Sequence, residues 1–161
     1  MPAGADRPSY EESFQKFLKM KRMRYIKSPG YNEAKFVLSS LNPEERNFVR
    51  FEDKGEERKG LLLRKVYSTE GKPVGFADAY KFNQYSSVVA ELLVAVNPEF
   101  QRKKIGSNLV RELLESCKTK GYKKILYVTS TGNKKSVDFI KKLGFKLEGS
   151  NKGTLMFVKL L

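Results

Sequence analysis

Apolar residues recur along this chain with two periods, and the switches between them mark its elements. Ser9 and Glu12 form an S-x-x-E capping box ahead of Phe14, Phe17 and Leu18, which fall on one face, so residues 9–22 read as a helix. Asn42, Pro43 and Glu45 repeat the start signal and predict a second, short helix running to about Phe51. The polar run 52–59 reads as a loop. Two β-patterned stretches follow, 61–67 and 73–82, joined as a hairpin by Thr69-Glu70-Gly71-Lys72. Residues 88–96 are apolar on both alternating faces except at Glu91, the pattern of a central strand covered on both sides. From 105 to 120 the period becomes helical: Ile105, Leu109, Val110, Leu113, Leu114 and Cys117 form one stripe, Arg111, Glu112, Glu115 and Lys118 the other, and Gly121 stops it. A buried strand at 125–128, a helix at 133–143 and a closing strand pair at 145–149 and 154–160 complete the chain.

Hairpins first and strand-helix-strand-helix afterwards predict a mixed α/β domain in which the strands near 90 and 126 are parallel neighbours. At 161 residues the expectation is one domain spanning 1–161, with residues 1–24 as an accessory helix. That helix is a candidate cover for an acceptor site, or a contact between two copies in a homodimer. With no histidine and one cysteine, the usual zinc sites, histidine-based triads and an intramolecular disulfide are excluded. No apolar run reaches the roughly 20 residues that span a bilayer, so no membrane partner is expected and a cytoplasmic protein is. The net charge of +14 favours encounter with anions, whether phosphorylated ligands, acidic proteins or nucleic acid.

Asn97 to Ser107 joins the buried strand to the amphipathic helix through a polar loop with three cations, Arg102, Lys103 and Lys104, and one glycine, Gly106. Free amides in a helix's first turn, its dipole and a missing side chain together make an anion site in outline. The loop Gln101-Arg102-Lys103-Lys104-Ile105-Gly106 resembles the acetyl-CoA signature Q/R-x-x-G-x-G/A of the GCN5-related N-acetyltransferases, the GNAT family. A helix opening at Asn133, carrying Ser136 and Phe139 and closing on Leu143-Gly144-Phe145, is similar to the family's second element. The resemblance covers about residues 88–148. It implies a mostly antiparallel twisted sheet of six or seven strands with a splayed parallel pair and helices on both faces.

The resemblance also implies a chemistry: direct transfer of acetyl from acetyl-CoA to a primary amine. On it, the edge at Val94, Ala95 and Val96 pairs with the pantetheine amides, and Arg102, Lys103, Lys104, Ile105, Gly106 and Ser107 hold the pyrophosphate after Gln101. Asn133, Ser136 and Phe139 line the same wall, Asn133 being equally a helix cap and Phe139 a core aromatic. Glu91, in the setting Ala90-Glu91-Leu92, is similar to the base-bearing position of the histone-acetylating branch. A buried unpaired carboxylate is costly, so Glu91 should face water or the acceptor cleft; the bland alternative is a glutamate bound to a nearby lysine. Tyr127 is the candidate proton donor, and a backbone N–H near Val96 the oxyanion donor. Two departures stand out: Lys104 replaces the signature's first glycine, and Ile140 replaces a tyrosine that often acts as general acid.

The positive field disfavours polyamines, aminoglycosides and basic tails as acceptors, and leans toward protein amines in acidic surroundings or a small neutral or acidic amine. The alternative from another class is a binding module with this fold but no turnover, contacting an acidic partner, or nucleic acid through lysines and Tyr80, Phe82 and Tyr85.

Overall fold

The computed structural model describes residues 23–25, 29–47, 49–53, 56–83, 87–101 and 103–161. The helix expected over 9–22, Tyr85 and Arg102 lie outside the described residues.

Among the described residues seven strands form one sheet in the order β1-β4-β5-β6-β7-β9-β8: β1 (Met23–Tyr25), β4 (Leu61–Thr69), β5 (Lys72–Lys81), β6 (Val89–Val96), β7 (Lys124–Ser130), β8 (Lys146–Asn151) and β9 (Thr154–Leu160). Every pairing is antiparallel except β6 with β7. The hairpins β4-β5 and β8-β9 turn on Glu70-Gly71 and Lys152-Gly153, with φ of 50°, 79°, 46° and 84°. Positive φ at both central positions matches the right-handed twist of the flanking strands, which is why a two-residue loop suffices. Among the described residues the α-helices are α1 (Tyr31–Ser39), α2 (Pro43–Asn47), α3 (Ile105–Thr119) and α4 (Lys134–Lys142).

Alternation along the strands divides the core in two. Phe76 and Tyr80 of β5 pack with Val66, Leu93 and the α1 residues Ala34, Val37 and Leu38. Ala77 and Ala79 face the other way, beneath Leu109, Leu113 and Cys117 of α3. Small residues on that face bring the helix close: a Cβ at Gly75 would stand 3.0 Å from Leu109 Cδ1. Tyr80 is fully buried, so it cannot stack on bases as the nucleic-acid alternative requires. Asp78 shares its face; its carboxylate receives Arg64 Nε at 2.8 Å, Arg64 Nη2 at 2.9 Å and the Tyr80 hydroxyl at 2.9 Å.

One element is added and two expectations are corrected. Helix α1 is additional, capped in reverse, because Gly30 has no side chain and its N–H instead donates to Glu33 Oε2 at 2.9 Å. Helix α2 stops at Asn47, short of Phe51, which leaves the helix to stack on Tyr31 with centroids 5.3 Å apart and fill the core beside Phe76. The run 52–59 carries a small ribbon, β2 (Glu52–Asp53) with β3 (Glu56–Glu57). Two of its acid side chains are answered from outside, Glu52 by the Tyr31 hydroxyl and Glu57 by Arg64. Among the described residues no helix is long and apolar enough to cross a membrane.

Cys117 lies wholly inside the α3 stripe, and burial pushes its thiol up to about 11. It is packing and not a nucleophile. A thiol reagent should find no reactive cysteine in the folded protein and one after denaturation. Because the unfolded chain releases this proton near pH 9 and the folded chain near 11, the associated stability is intact below 9 and lost as pH rises between them. Denaturation midpoints measured from pH 8 to 11 should fall, and Cys117→Ser should reduce that fall.

Candidate active site

Parallel pairing between β6 and β7 covers only Val89↔Lys124, Ala90↔Ile125 and Glu91↔Leu126. Past Glu91 the strands part: β7 continues along β9 to Ser130, whereas β6 runs into Pro98, which has no N–H to give a ladder. The gap opens into a cavity of about 560 Å³ walled by Leu92 to Val96, Tyr127 and Val128. Asn97 donates to Val74 O at 2.8 Å on the β5 side. Alternation then turns the amides of Val94 and Val96 toward the gap, and that of Ala95 toward β5.

At the mouth, α3 begins from a left-handed residue. Lys104, the N-cap, has φ 64° and ψ 9° and makes no side-chain capping bond. The helix's first internal bond runs from Asn108 N to Lys104 O at 3.0 Å, so the first-turn amides of Ile105, Gly106 and Ser107 have no helical acceptor. Lys104, Gly106 and Ser107 line the cavity. A Cβ on Gly106 would meet Phe139 Cζ at 3.3 Å and Val96 Cγ2 at 3.4 Å, so any side chain there would crowd the wall between strand and helix. The left-handed lysine costs on the order of 1–2 kcal/mol. Lys104→Gly should therefore raise stability by about 1 kcal/mol, or 2–4 °C in melting temperature. By removing a cation from the mouth, it should also weaken binding of a pyrophosphate ligand several-fold, a split readable by thermal shift with and without ligand.

Other expected cofactor contacts divide. The Ile105 side chain belongs to the core at 3% exposure, leaving only its amide for a ligand, and Lys103 stacks over Phe100 at 5.2 Å, off the cavity wall. Gln101 lines the mouth with its carboxamide already engaged. It donates to Val96 O at 3.1 Å and Glu45 Oε2 at 3.2 Å, and accepts from Lys135 Nζ at 2.9 Å, bracing α2 and α4 across the opening. Asn133 is both cap and wall: its Oδ1 accepts from Ser136 N at 3.4 Å and its Nδ2 donates to Thr129 Oγ1 at 3.1 Å. Ser136 and Phe139 line the cavity beside it. Ile140, where the resemblance would have a tyrosine, is fully buried in the core.

Glu91 and Tyr127 flank the gap from opposite faces. Tyr127 joins the α3 side of the core, where burial pushes its phenol up while the Ser136 and Thr129 hydroxyls pull it back. It therefore stays protonated at neutral pH and can donate. Glu91, in register with Tyr80, faces the α1 side, and its carboxylate is paired with Arg58. The partner is thus an arginine in place of the lysine the bland alternative supposes. Arg58 was hidden in the run 52–59; no local pattern pairs residues 33 positions apart. Its guanidinium lies 4.4 Å over the Tyr80 ring, and its Nη1 donates to Arg50 O at 3.4 Å.

The residues present fit a thioester cofactor with a diphosphate: outward amides on a strand edge, an uncapped helix start with a lysine, and a glycine where a side chain would close the wall. Comparison with known proteins agrees in fold. A curated N-acetyltransferase of uncharacterised function from Methanocaldococcus jannaschii is 34% identical over 99 residues, 58% of this chain and 43% of the relative, so this chain spans less than half of that relative's length. The GNAT domain of S. lividans PAT superposes with a TM-score of 0.70 at 12% identity, covering 86% of this chain and 89% of the other. A Salmonella typhimurium structure with its cofactor acetyl-CoA superposes with a TM-score of 0.54 at 19% identity over 60% and 63% of the two chains. The profile of the acetyltransferase (GNAT) family matches residues 22–145, and the chain belongs to that family.

Proposed function

We propose that this chain is an acetyl-CoA-dependent N-acetyltransferase, acting in the cytoplasm on a primary amine. The observation that carries the reading is the parted strand pair, whose gap leads from the uncapped start of α3 to Glu91. Acetyl-CoA, when bound, supplies an activated acetyl group. Lys104 and the amides of Ile105, Gly106 and Ser107 hold the diphosphate, and the Val94 and Val96 edge orients the pantetheine arm as an added strand would. Glu91 accepts the amine proton, directly or through water, from the α1 face. Tyr127 holds a proton for the departing sulfur on the α3 face. Acid and base on opposite faces suit two reactants that enter from opposite sides and meet in the gap.

Acetyl-CoA added at a hundred times its dissociation constant should stabilise the folded protein by about 2.7 kcal/mol. Release of CoA thiol is then followed across a panel of amines. No melting shift at saturating acetyl-CoA would overturn the reading. A binding-only role draws on Ile140, which is buried and offers no proton at the position where the resemblance would have a tyrosine; it predicts the shift without turnover on any amine.

A further inference from the structure

On the α1 side of the gap, the proposed base is not open to solvent alone. Glu91 is 17% exposed and Arg58 8%, and the two are ion-paired. Arg58 is fixed by the Tyr80 ring beneath it, by the Arg50 carbonyl, and by its own N–H, which donates to Phe51 O at 3.0 Å. The guanidinium holds its place on the wall of the cavity next to Leu41, Val49 and Leu93.

This arrangement discriminates among amines. A bare alkylammonium entering from this side meets a fixed like charge and finds the carboxylate it needs already engaged. A molecule carrying an ammonium and a carboxylate a few bonds apart exchanges one ion pair for two: its carboxylate takes the fork of Arg58, and its ammonium takes Glu91. No charge is then left unpaired in a half-buried cleft. The same exchange turns Glu91 from the arginine to the amine whose proton it must accept. The chain's net charge of +14 speeds the encounter of an anion-bearing acceptor.

We propose that the acceptor carries a carboxylate within a few bonds of the amine that is acetylated, and that Arg58 is the residue that docks it and determines specificity. This rests on the reading of Glu91 as the base of an N-acetyltransferase.

The experiment compares matched acceptors on the whole chain: β-alanine against propylamine, free aspartate and glutamate, and C-terminally amidated peptides beginning Asp-Asp against Ala-Ala. The free and peptide arms distinguish a small amino acid from a protein N-terminus as the source of this chemistry. The carboxylated member of each productive pair is expected to be favoured by about tenfold or more in kcat/KM, chiefly through KM. Arg58→Gln should bring that ratio close to one, and Arg58→Lys, which keeps the charge without the fork, should preserve part of it. Three results would overturn the inference: equal or better use of the neutral amines, a preference that survives Arg58→Gln, or no acetylation of any carboxylated amine. The wild-type comparison stands even if the variants fold poorly. Melting curves with acetyl-CoA on the same samples separate the two readings. Without a shift the acetyltransferase reading fails; with a shift but no carboxylate preference, only the acceptor assignment fails.

Discussion

Glu91→Gln is expected to slow acetyl transfer by a hundred- to ten-thousand-fold, the range spanned by a positioned general base. Glutamine keeps the shape of the side chain and an oxygen that accepts from Arg58, so the wall of the cleft stays satisfied. What disappears is the charge that takes the amine proton. Because Glu91 faces α1 while the uncapped start of α3 and the outward amides of Val94 and Val96 lie toward the other partner, acetyl-CoA should still raise the melting temperature of the variant. Steady-state transfer at saturating acetyl-CoA, read beside that shift, checks both halves. Unchanged transfer would remove Glu91 from the mechanism.

Asp78→Ala is expected to cost about 3–5 kcal/mol, because it leaves a buried arginine without its counter-charge. The Arg64 side chain is 3% exposed, and it would lose both bonds to the carboxylate, keeping as its one carboxylate partner Glu57 at 3.2 Å, which is 38% exposed, beside the Tyr80 hydroxyl at 3.5 Å and the Phe51 ring. The Tyr80 hydroxyl would lose its acceptor as well. For a chain of this length the melting temperature should fall by about 10 °C or more. Urea denaturation measures the loss directly. Replacing both partners by apolar residues, Arg64→Met with Asp78→Leu, should recover most of it, since the penalty belongs to the orphaned charge and not to the absent bond. The effect reaches the cleft, because the ring that Asp78 holds in place is the one on which Arg58 rests.

The half of the site assigned to the cofactor was legible because it is contiguous: the strand, the turn and the helix start between Val94 and Ser107, then one further helix start at Asn133. Of the other half, the sequence singled out Glu91 alone. Its wall is assembled from Leu41, Val49, Arg58 and Glu91, and pairing across such separations leaves no periodic trace. Helix α1 shows a weaker kind of failure. Ala34, Val37, Leu38 and Leu41 have the spacing of a buried helical face, but the cap is a glycine and the usual start signal is missing. Asn42 illustrates the contrast, since its Oδ1 accepts from Glu45 N at 2.7 Å and the predicted start of α2 is where the chain turns. Lys104 stands where the signature has its first glycine. Tertiary structure selects the left-handed backbone there, a choice that propensity alone opposes.

A sheet joined at its middle by three residue pairs resembles a book open at the spine more than a plate. One leaf holds β1, β4, β5 and β6 with α3 resting on it; the other holds β7, β9 and β8 with α4 against it. Among the described residues no backbone rung beyond Glu91 ties one leaf to the other, and the apolar core beneath α3 is what holds them together. An extended pantetheine arm laid between them, as proposed above, would supply the missing rungs. On the proposed reading, stiffness of the whole sheet would be a property that the fold acquires from its guest.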